Sequence, residues 1–273
     1  MPELPEVETI RRQLDAMLPG SRIVAAWAHP SAKFASAVDA TGAAVMAVRR
    51  RGKYLLVDLD NGRELIAHLG MTGAFSIAEH GGTPVAGPYT RAWWTLDDGR
   101  TVLFDDTRRF GRIAVVDAGQ YRSLPTLDAL GPEPFDPMFT PKVLWEALRG
   151  TKRRLKTQLL SQRPVAGVGN IYADEAFWAA QVHPARRSLT LRQAERLHAG
   201  IKQALVRGLD AGGTTLRDYR GVDGRGGENQ FNLDCYGRRG LPCHRCGDLL
   251  EAAVWDGRTT TYCAQCQGPT PRR

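Results

Sequence analysis

The chain has 273 residues, 42% of them apolar, with 37 Lys and Arg against 29 Asp and Glu for a formal charge of +8. That length fills one large core or two domains of about 100 to 200 residues, and the basic balance suits a polyanion such as nucleic acid, although many basic proteins bind none. No run of about 18 apolar residues is present and the charged first segment lacks the apolar core of a signal peptide, so no membrane span is expected and the expected location is cytoplasmic.

Residues 1–20 predict a helix. Val7, Ile10, Leu14 and Met17 or Leu18 recur at three- and four-residue spacing, Pro5 is tolerated in a first turn, and Pro19-Gly20 stops the run. Read alone, Pro2 starts this helix and Glu3 is a first-turn acid that complements its dipole. From Ser21 to Val116 the period changes to two. "KYLLVDLDNGRELIAHL" is a strand, an Asn61-Gly62 turn and a strand, and "WWTLDDGRTVLFDD" repeats the plan around Asp98-Gly99, so residues 1–130 form a helix on an antiparallel β-sandwich or barrel. "LGPEPFDPMFTP" holds four prolines in twelve residues, which places a linker at 131–140. Four helical stretches follow, within an expected domain at 141–240, and a cysteine module with a basic tail occupies 241–273.

The cysteine module carries the most specific chemistry. Cys243-x2-Cys246 and Cys263-x2-Cys266 are 16 residues apart, the spacing of a four-thiolate zinc site, which is closed and therefore structural. A redox pair of CxxC motifs is the alternative, without the βαβ pattern that would support it. Cys235 stands apart as a packing residue. Between the knuckles, Asp256-Gly257 predicts a hairpin turn that presents Arg258, either as a directed cation or as a solvated turn residue. In "PVAGVGNIYADEAFW" a small-residue turn feeds a helix whose N-terminal amides suit a phosphate, with Asn170 as the expected N-cap and Lys152, Arg153, Arg154 and Lys156 just before. In the β region, Arg49, Arg50, Arg51 and Lys53 cluster at a strand start, which reads as a solvated edge. Phe110 lies beside two arginines and before a glycine, which suits either insertion into a base stack or burial in a strand, and Met71 in "AHLGMTGAF" is open to the same two readings.

Taken together, "MPELPEVETIRR", "RRGKYLL", "HLGMTG", "DTRRFGR", "GVGNIYADE", "GGTTLRDYR" and the cysteine module, in this order over essentially the whole chain, resemble the bacterial formamidopyrimidine-DNA glycosylases. The resemblance implies an α+β multidomain protein: an N-terminal helix on an antiparallel β-sandwich, then a helix–two-turn–helix domain with a C-terminal four-cysteine zinc finger. It implies a base-excision repair glycosylase with abasic-site lyase activity on oxidised purines, 8-oxoguanine and formamidopyrimidines. It further implies one structural zinc and no organic cofactor. The implied partner is double-stranded DNA with oxidised bases or abasic sites, met by a nucleoid-associated monomer.

By the same resemblance, Pro2 is the nucleophile once Met1 is removed, Glu3 the general acid, Glu6 a carboxylate that organises the site, and Lys53 the lysine near the lesion phosphate. Arg258 is the zinc-finger arginine assigned to δ-elimination. Met71, Arg108 and Phe110 fill the gap left by an everted nucleotide, and Asn170 and Lys152 contact the backbone. "TTLRDYRGVDGRGG" matches a lesion-capping loop with Thr214, Thr215 and Tyr219, and Tyr236 lines the same region. Two departures stand out. Tyr89 occupies the place of a DNA-contacting histidine, with Arg91 close enough to substitute, and Asp106-Thr107 replaces an Asp-Pro. Two competing readings are a glycosylase similar to endonuclease VIII, which prefers oxidised pyrimidines, and a noncatalytic damage binder. "PELPEVET" and the trio disfavour the first, and intact Pro2, Glu3, Lys53 and Arg258 disfavour the second.

Overall fold

A computed structural model describes residues 1–79, 86–150 and 152–271. The chain divides into two compact units, one of Met1–Asp128 with Ala211–Glu228, the other of Ala129–Asp210 with Asn229–Arg273.

The first unit opens with α1 (Leu4–Asp15), which buries Val7, Ile10 and Leu14, as the spacing requires, with Leu18 buried just beyond. The helix stops at Asp15, ahead of Pro19-Gly20, and the Asp15 carboxylate accepts from the amide of Val48 at 2.8 Å. Among the described residues eight strands follow: β1 (Ile23–Ala28), β2 (Val45–Arg51), β3 (Tyr54–Leu59), β4 (Arg63–His68), β5 (Gly73–Ala78), β6 (Thr90–Leu96), β7 (Thr101–Asp106) and β8 (Arg112–Asp117). They form two antiparallel sheets, ordered β1-β6-β7-β5 and β2-β3-β4-β8. Apolar residues of both sheets and of α1 share one core, where Phe34, Phe75, Trp94 and Phe104 pack together. A short helix, α2 (Pro125–Asp128), ends this part of the chain.

Two connections in this sandwich matter for the site. The turn from β4 to β5 and the turn from β7 to β8 each cross from one sheet to the other. Pairing of His68 with Arg112 and of Gly73 with Asp106 brackets both crossovers and sets them side by side. The first carries Met71, the second Arg108 and Phe110. Gly70 makes the approach possible: it has φ +60°, and a Cβ there would lie 2.4 Å from the Gly111 nitrogen.

The second unit contains α3 (Pro141–Leu148), α4 (Leu155–Leu160), α5 (Asn170–Ala180), α6 (Leu191–Asp210), the hairpin β9 (Glu251–Trp255) and β10 (Arg258–Tyr262), and α7 (Ala264–Gln267). α5 and α6 pack closely because α6 has glycine where they touch. A Cβ on Gly200 would meet the Ala176 carbonyl at 2.7 Å, and one on Gly208 the Tyr172 ring at 2.5 Å. Among the described residues no helix is long and apolar enough to cross a membrane.

The units depart from the expected boundaries in two places. The proline-rich stretch 131–140 belongs to the second unit: Gly131 donates to the Gln162 carbonyl, Pro132 accepts from Ala166, and Phe139 is buried. Proline removes donors but leaves its carbonyls free to accept, so a proline-rich run can still be built in. The glycine-rich segment after α6 also differs, since Ala211–Glu228 packs within the first unit although it follows helices of the second in sequence.

Candidate active site

The start of α1 is built as a buried polar corner. Glu3 is the N-cap, and the Glu3 amide donates to Glu6 Oε2 at 2.7 Å, closing a capping box whose other half is the Glu3 side chain accepting from the Glu6 amide. Glu6 Oε1 accepts from the Thr214 amide at 2.6 Å. One carboxylate thus fixes the first turn of α1 and the segment after α6. Glu3 and Glu6 are only 2% and 1% exposed, and Pro2 is buried beside them. Tyr219 closes the corner, with its hydroxyl on the Gly212 carbonyl at 3.1 Å and on the Glu6 carbonyl at 3.4 Å. Burial, with the Glu6 charge added, pushes the Tyr219 phenol well above its usual range, so it stays a neutral donor. Thr215 accepts from Gly227, and Gln13 of α1 accepts from Val222 at 2.7 Å, so the glycine-rich segment is tied down along its length.

Lys53 sits in the two-residue turn between β2 and β3, after Gly52 at φ +56°, and is 6% exposed. α1 packs on these two strands, with Arg50 of β2 paired to Glu8 at 3.0 Å. The arginines before Lys53 lie on an edge strand, as expected, and Arg49 is exposed there, but two of them also hold carboxylates of the fold. Arg49 grips Asp58 and Glu64, each at 2.6 Å, and Arg50 takes Glu8, so this basic run is largely neutralised by the protein itself. His68, a residue the sequence reading passed over, lies across from Tyr54 in the β3–β4 register. Burial, followed by the Lys53 charge, lowers it to about 4, which keeps its Nδ1 free to accept from the Gly70 amide.

The crossover turns present their side chains outward. Met71 is 37% exposed and Phe110 51%, and the Arg108 guanidinium lies over the Phe110 ring at 4.8 Å. The buried reading of Phe110 and Met71 is therefore set aside. Tyr89 is likewise exposed, just ahead of β6. Arg91 cannot take over an external contact: it is 3% exposed and spends its guanidinium on the carbonyls of Asp106, Pro88 and Thr90.

In the second unit, Lys152 and Arg153 are exposed, while Arg154 and Lys156 are used internally. Arg154 pairs with Asp256 at 3.0 Å, and buried Lys156 pairs with Asp174 at 2.6 Å. Asn170 is the first residue of α5. Gly169 occupies the N-cap position, so the expected cap is corrected: Asn170 Nδ2 donates to the Thr259 carbonyl at 3.2 Å instead. The turn before α5 faces inward, clasped by Gln162, which bonds Gly167 and Val168. Lys156 reaches Thr259 and Thr260, and Asp174 accepts from the Thr261 amide, so strand β10 is anchored at three successive residues. Arg258 leads that strand, exposed, after the left-handed pair Asp256 and Gly257 of a tight hairpin turn. Glu175, next along α5, accepts from the amides of Asp234, Cys235 and Tyr236, which places half-buried Tyr236.

The ligand atoms of Cys243, Cys246, Cys263 and Cys266 all lie within 4.8 Å of one another. Sulfurs of a zinc tetrahedron with Zn–S of about 2.3 Å lie about 3.8 Å apart, so the set fits one ion. Burial opposes charge on Cys243, yet the amides of Arg245 and Cys246 and the Trp178 indole bring its thiol below the usual range. Burial pushes Cys263 and Cys266 up, and a divalent cation supplies the charge that holds them as thiolates. Cys235 is buried and donates to the Thr261 carbonyl, as a packing residue should.

Comparison with known proteins agrees with this arrangement along the whole chain. Residues 1–113 match the formamidopyrimidine-DNA glycosylase N-terminal domain, 130–220 the H2TH domain of the same family, and 240–268 the zinc finger found in FPG and IleRS. The formamidopyrimidine-DNA glycosylase of Thermus thermophilus is 44% identical over 99% of this chain and 100% of its own length. The crystal structure of MutM (Fpg) from that organism superposes with a TM-score of 0.91 over 99% of this chain and 100% of its own. Two Lactococcus lactis Fpg structures, a mutant bound to Fapy-dG-containing DNA and a complex with abasic-site DNA, are 32% and 31% identical, with TM-scores of 0.87 and 0.86. Each covers 97% of this chain and 99% of its own. The chain belongs to the formamidopyrimidine-DNA glycosylase family.

Proposed function

We propose that the protein is a base-excision repair enzyme that removes 8-oxoguanine and formamidopyrimidines from double-stranded DNA and then cuts the strand at the abasic site. The observation that carries this reading is the buried corner at the start of α1, where Pro2 is buried and the adjoining Glu3 is held by Glu6. The first unit supplies the chemistry, and the helices and zinc hairpin grip the duplex. The enzyme acts as a cytoplasmic monomer at the nucleoid.

After removal of Met1, the Pro2 nitrogen is a terminal amine. Such an amine has a pKa of about 8 against about 10.4 for lysine, so roughly a tenth is neutral near pH 7 against under a thousandth. Its lone pair bonds to C1′ as the glycosidic bond breaks, and Glu3 delivers the proton that lets the base leave and the sugar ring open. The resulting iminium withdraws electrons from C2′. Loss of a C2′ proton then expels the 3′ phosphate, and a second elimination expels the 5′ phosphate. Lys53 acts near the lesion phosphate in base removal and proton transfer, Glu6 keeps Glu3 and Pro2 in register, and Arg258 holds the phosphates for the second elimination. Met71, Arg108 and Phe110 occupy the gap left by the everted base, offsetting part of the few kcal/mol that eversion costs. Thr214, Thr215 and Tyr219 line the capping segment over that base, and Lys152, Asn170 and Tyr89 contact the backbone. Cys243, Cys246, Cys263 and Cys266 would hold the zinc, which when bound crosslinks the hairpin.

Borohydride trapping on duplex DNA with 8-oxoguanine opposite cytosine tests the reading. Correctly processed protein gives a covalent adduct, and protein that retains Met1 gives none while binding DNA with unchanged affinity. No adduct from processed protein sinks the catalytic reading, and a stronger adduct with an oxidised pyrimidine replaces it with the endonuclease VIII specificity.

A further inference from the structure

The exposed trio of Met71, Arg108 and Phe110 needs a rigid base, since side chains that enter a base stack transmit force to whatever holds them. That base is visible beneath the two crossover turns. Asp106, fully buried at the end of β7, accepts from Thr72 Oγ1 at 2.5 Å and from the Arg108 amide at 3.3 Å with one oxygen, and from the Gly111 amide at 2.7 Å with the other. One carboxylate therefore ties the Met71 turn to both ends of the turn that bears Arg108 and Phe110. Between those two residues, Arg109 has φ +56°, a left-handed conformation that residues other than glycine, asparagine and aspartate seldom hold without an outside tie. Lys33 supplies that tie: its Nζ donates to the Arg109 carbonyl at 2.7 Å, and its own carbonyl accepts from the Ile113 amide at 2.9 Å. Lys33 is itself rooted in the core through its neighbour Phe34, whose ring packs on Phe104.

We propose that Lys33 and Asp106 are positioning residues for base extrusion, clamping the two crossover turns so that Phe110 and Arg108 enter the duplex as one preformed wedge. Neither touches DNA or the reacting atoms in this scheme. The inference rests on the wedge role given to Phe110 above.

The clamp matters most where a base must be driven from the stack and least where the base is already gone. Asp106→Asn removes a fully buried carboxylate, so the exposed Lys33 provides the deciding variants, each made in the zinc-loaded full chain. A 2-aminopurine placed beside 8-oxoguanine reports local unstacking, and single-turnover excision and cleavage of a preformed abasic site are followed on matched duplexes. Lys33→Met is expected to slow unstacking and excision about 5- to 10-fold and to leave abasic-site cleavage within about twofold, with Lys33→Arg restoring both affected rates. The proposal is overturned if Lys33→Met unstacks at the wild-type rate while Phe110→Ala is slow. It is equally overturned if Lys33→Met depresses both reactions alike and Lys33→Arg does not rescue them. Should Phe110→Ala itself unstack normally, the wedge role falls and takes the clamp with it.

Discussion

Glu6 in the first unit and Asp174 in the second are both buried carboxylates that hold distant segments together, and they do so by different means. Glu6 places its two oxygens on the amides of Glu3 and Thr214, whereas Asp174 takes one amide, Thr261, and commits its other oxygen to Lys156. The two amides on Glu6 fix two stretches of backbone far apart in sequence. An ion pair locks a cation away together with its anion, which leaves the net charge unchanged but removes that cation from the surface. Lys156, Arg49, Arg50 and Arg91 all count toward the formal +8, yet all serve internal contacts. The number of cations in the sequence thus overstates how many are free to meet DNA, while exposed ones such as Arg108, Lys152 and Arg258 keep that freedom.

The largest expected effect tests the second unit. Stripping the metal with a chelator, or replacing Cys243 by Ser, removes a crosslink worth on the order of 10 kcal/mol in small zinc modules. The hairpin that carries Arg258 should lose its ordered hydrogen-exchange protection, and DNA affinity by fluorescence anisotropy should drop at least about 100-fold. Next comes Asp174→Ala, which leaves Lys156 buried without its counter-ion and the Thr261 amide without its acceptor. A cost of about 3 to 5 kcal/mol is expected, lowering Tm on the order of 10 °C in a thermal melt.

Acid should act on the first unit through His68. Its folded pKa of about 4 lies below the ordinary 6.5, so the unfolded chain binds the extra proton between those values. Stability is therefore fully present above about pH 6.5 and falls as pH drops toward 4, by about 3 kcal/mol from this group. His183, which burial also lowers to about 4, adds a slope of the same sign in the second unit. Urea melts between pH 4 and 7 should show a shallower slope in His68→Gln. The smallest effect is expected for Glu6→Gln, in which one amide bond survives and the other meets an NH2 group, at about 1 to 3 kcal/mol. If Glu6→Gln costs as much as Asp174→Ala, the two amide bonds do not account for what Glu6 holds together.

Much of this molecule could be read from local signals. The Asn61-Gly62, Asp98-Gly99 and Asp256-Gly257 turns, the apolar spacing of α1 and the paired CxxC knuckles each depend on residues close in sequence, and each formed where expected. What escaped depends on pairings between distant segments. Period-two alternation gives a strand and its faces, but cannot say that β4 to β5 and β7 to β8 change sheets, and so could not reveal Asp106 or His68 as supports for the exposed trio. Arg91 misled for a related reason: a guanidinium next to a loop suggests solvent, but three carbonyls converge on this one inside the fold. Asn170 was misplaced by a single residue, because Gly169 fills the cap and releases the side chain to reach β10.

The bond from Thr214 to Glu6 spans 208 positions of sequence. On a ribosome that emits the chain from Met1 onward, the corner at the start of α1 waits for nearly four-fifths of the protein to be made before its last fastening arrives. A nascent or truncated chain can fold its sandwich and still lack the finished corner. A chain cut just before Thr214 would keep every strand of both sheets and still lack this fastening.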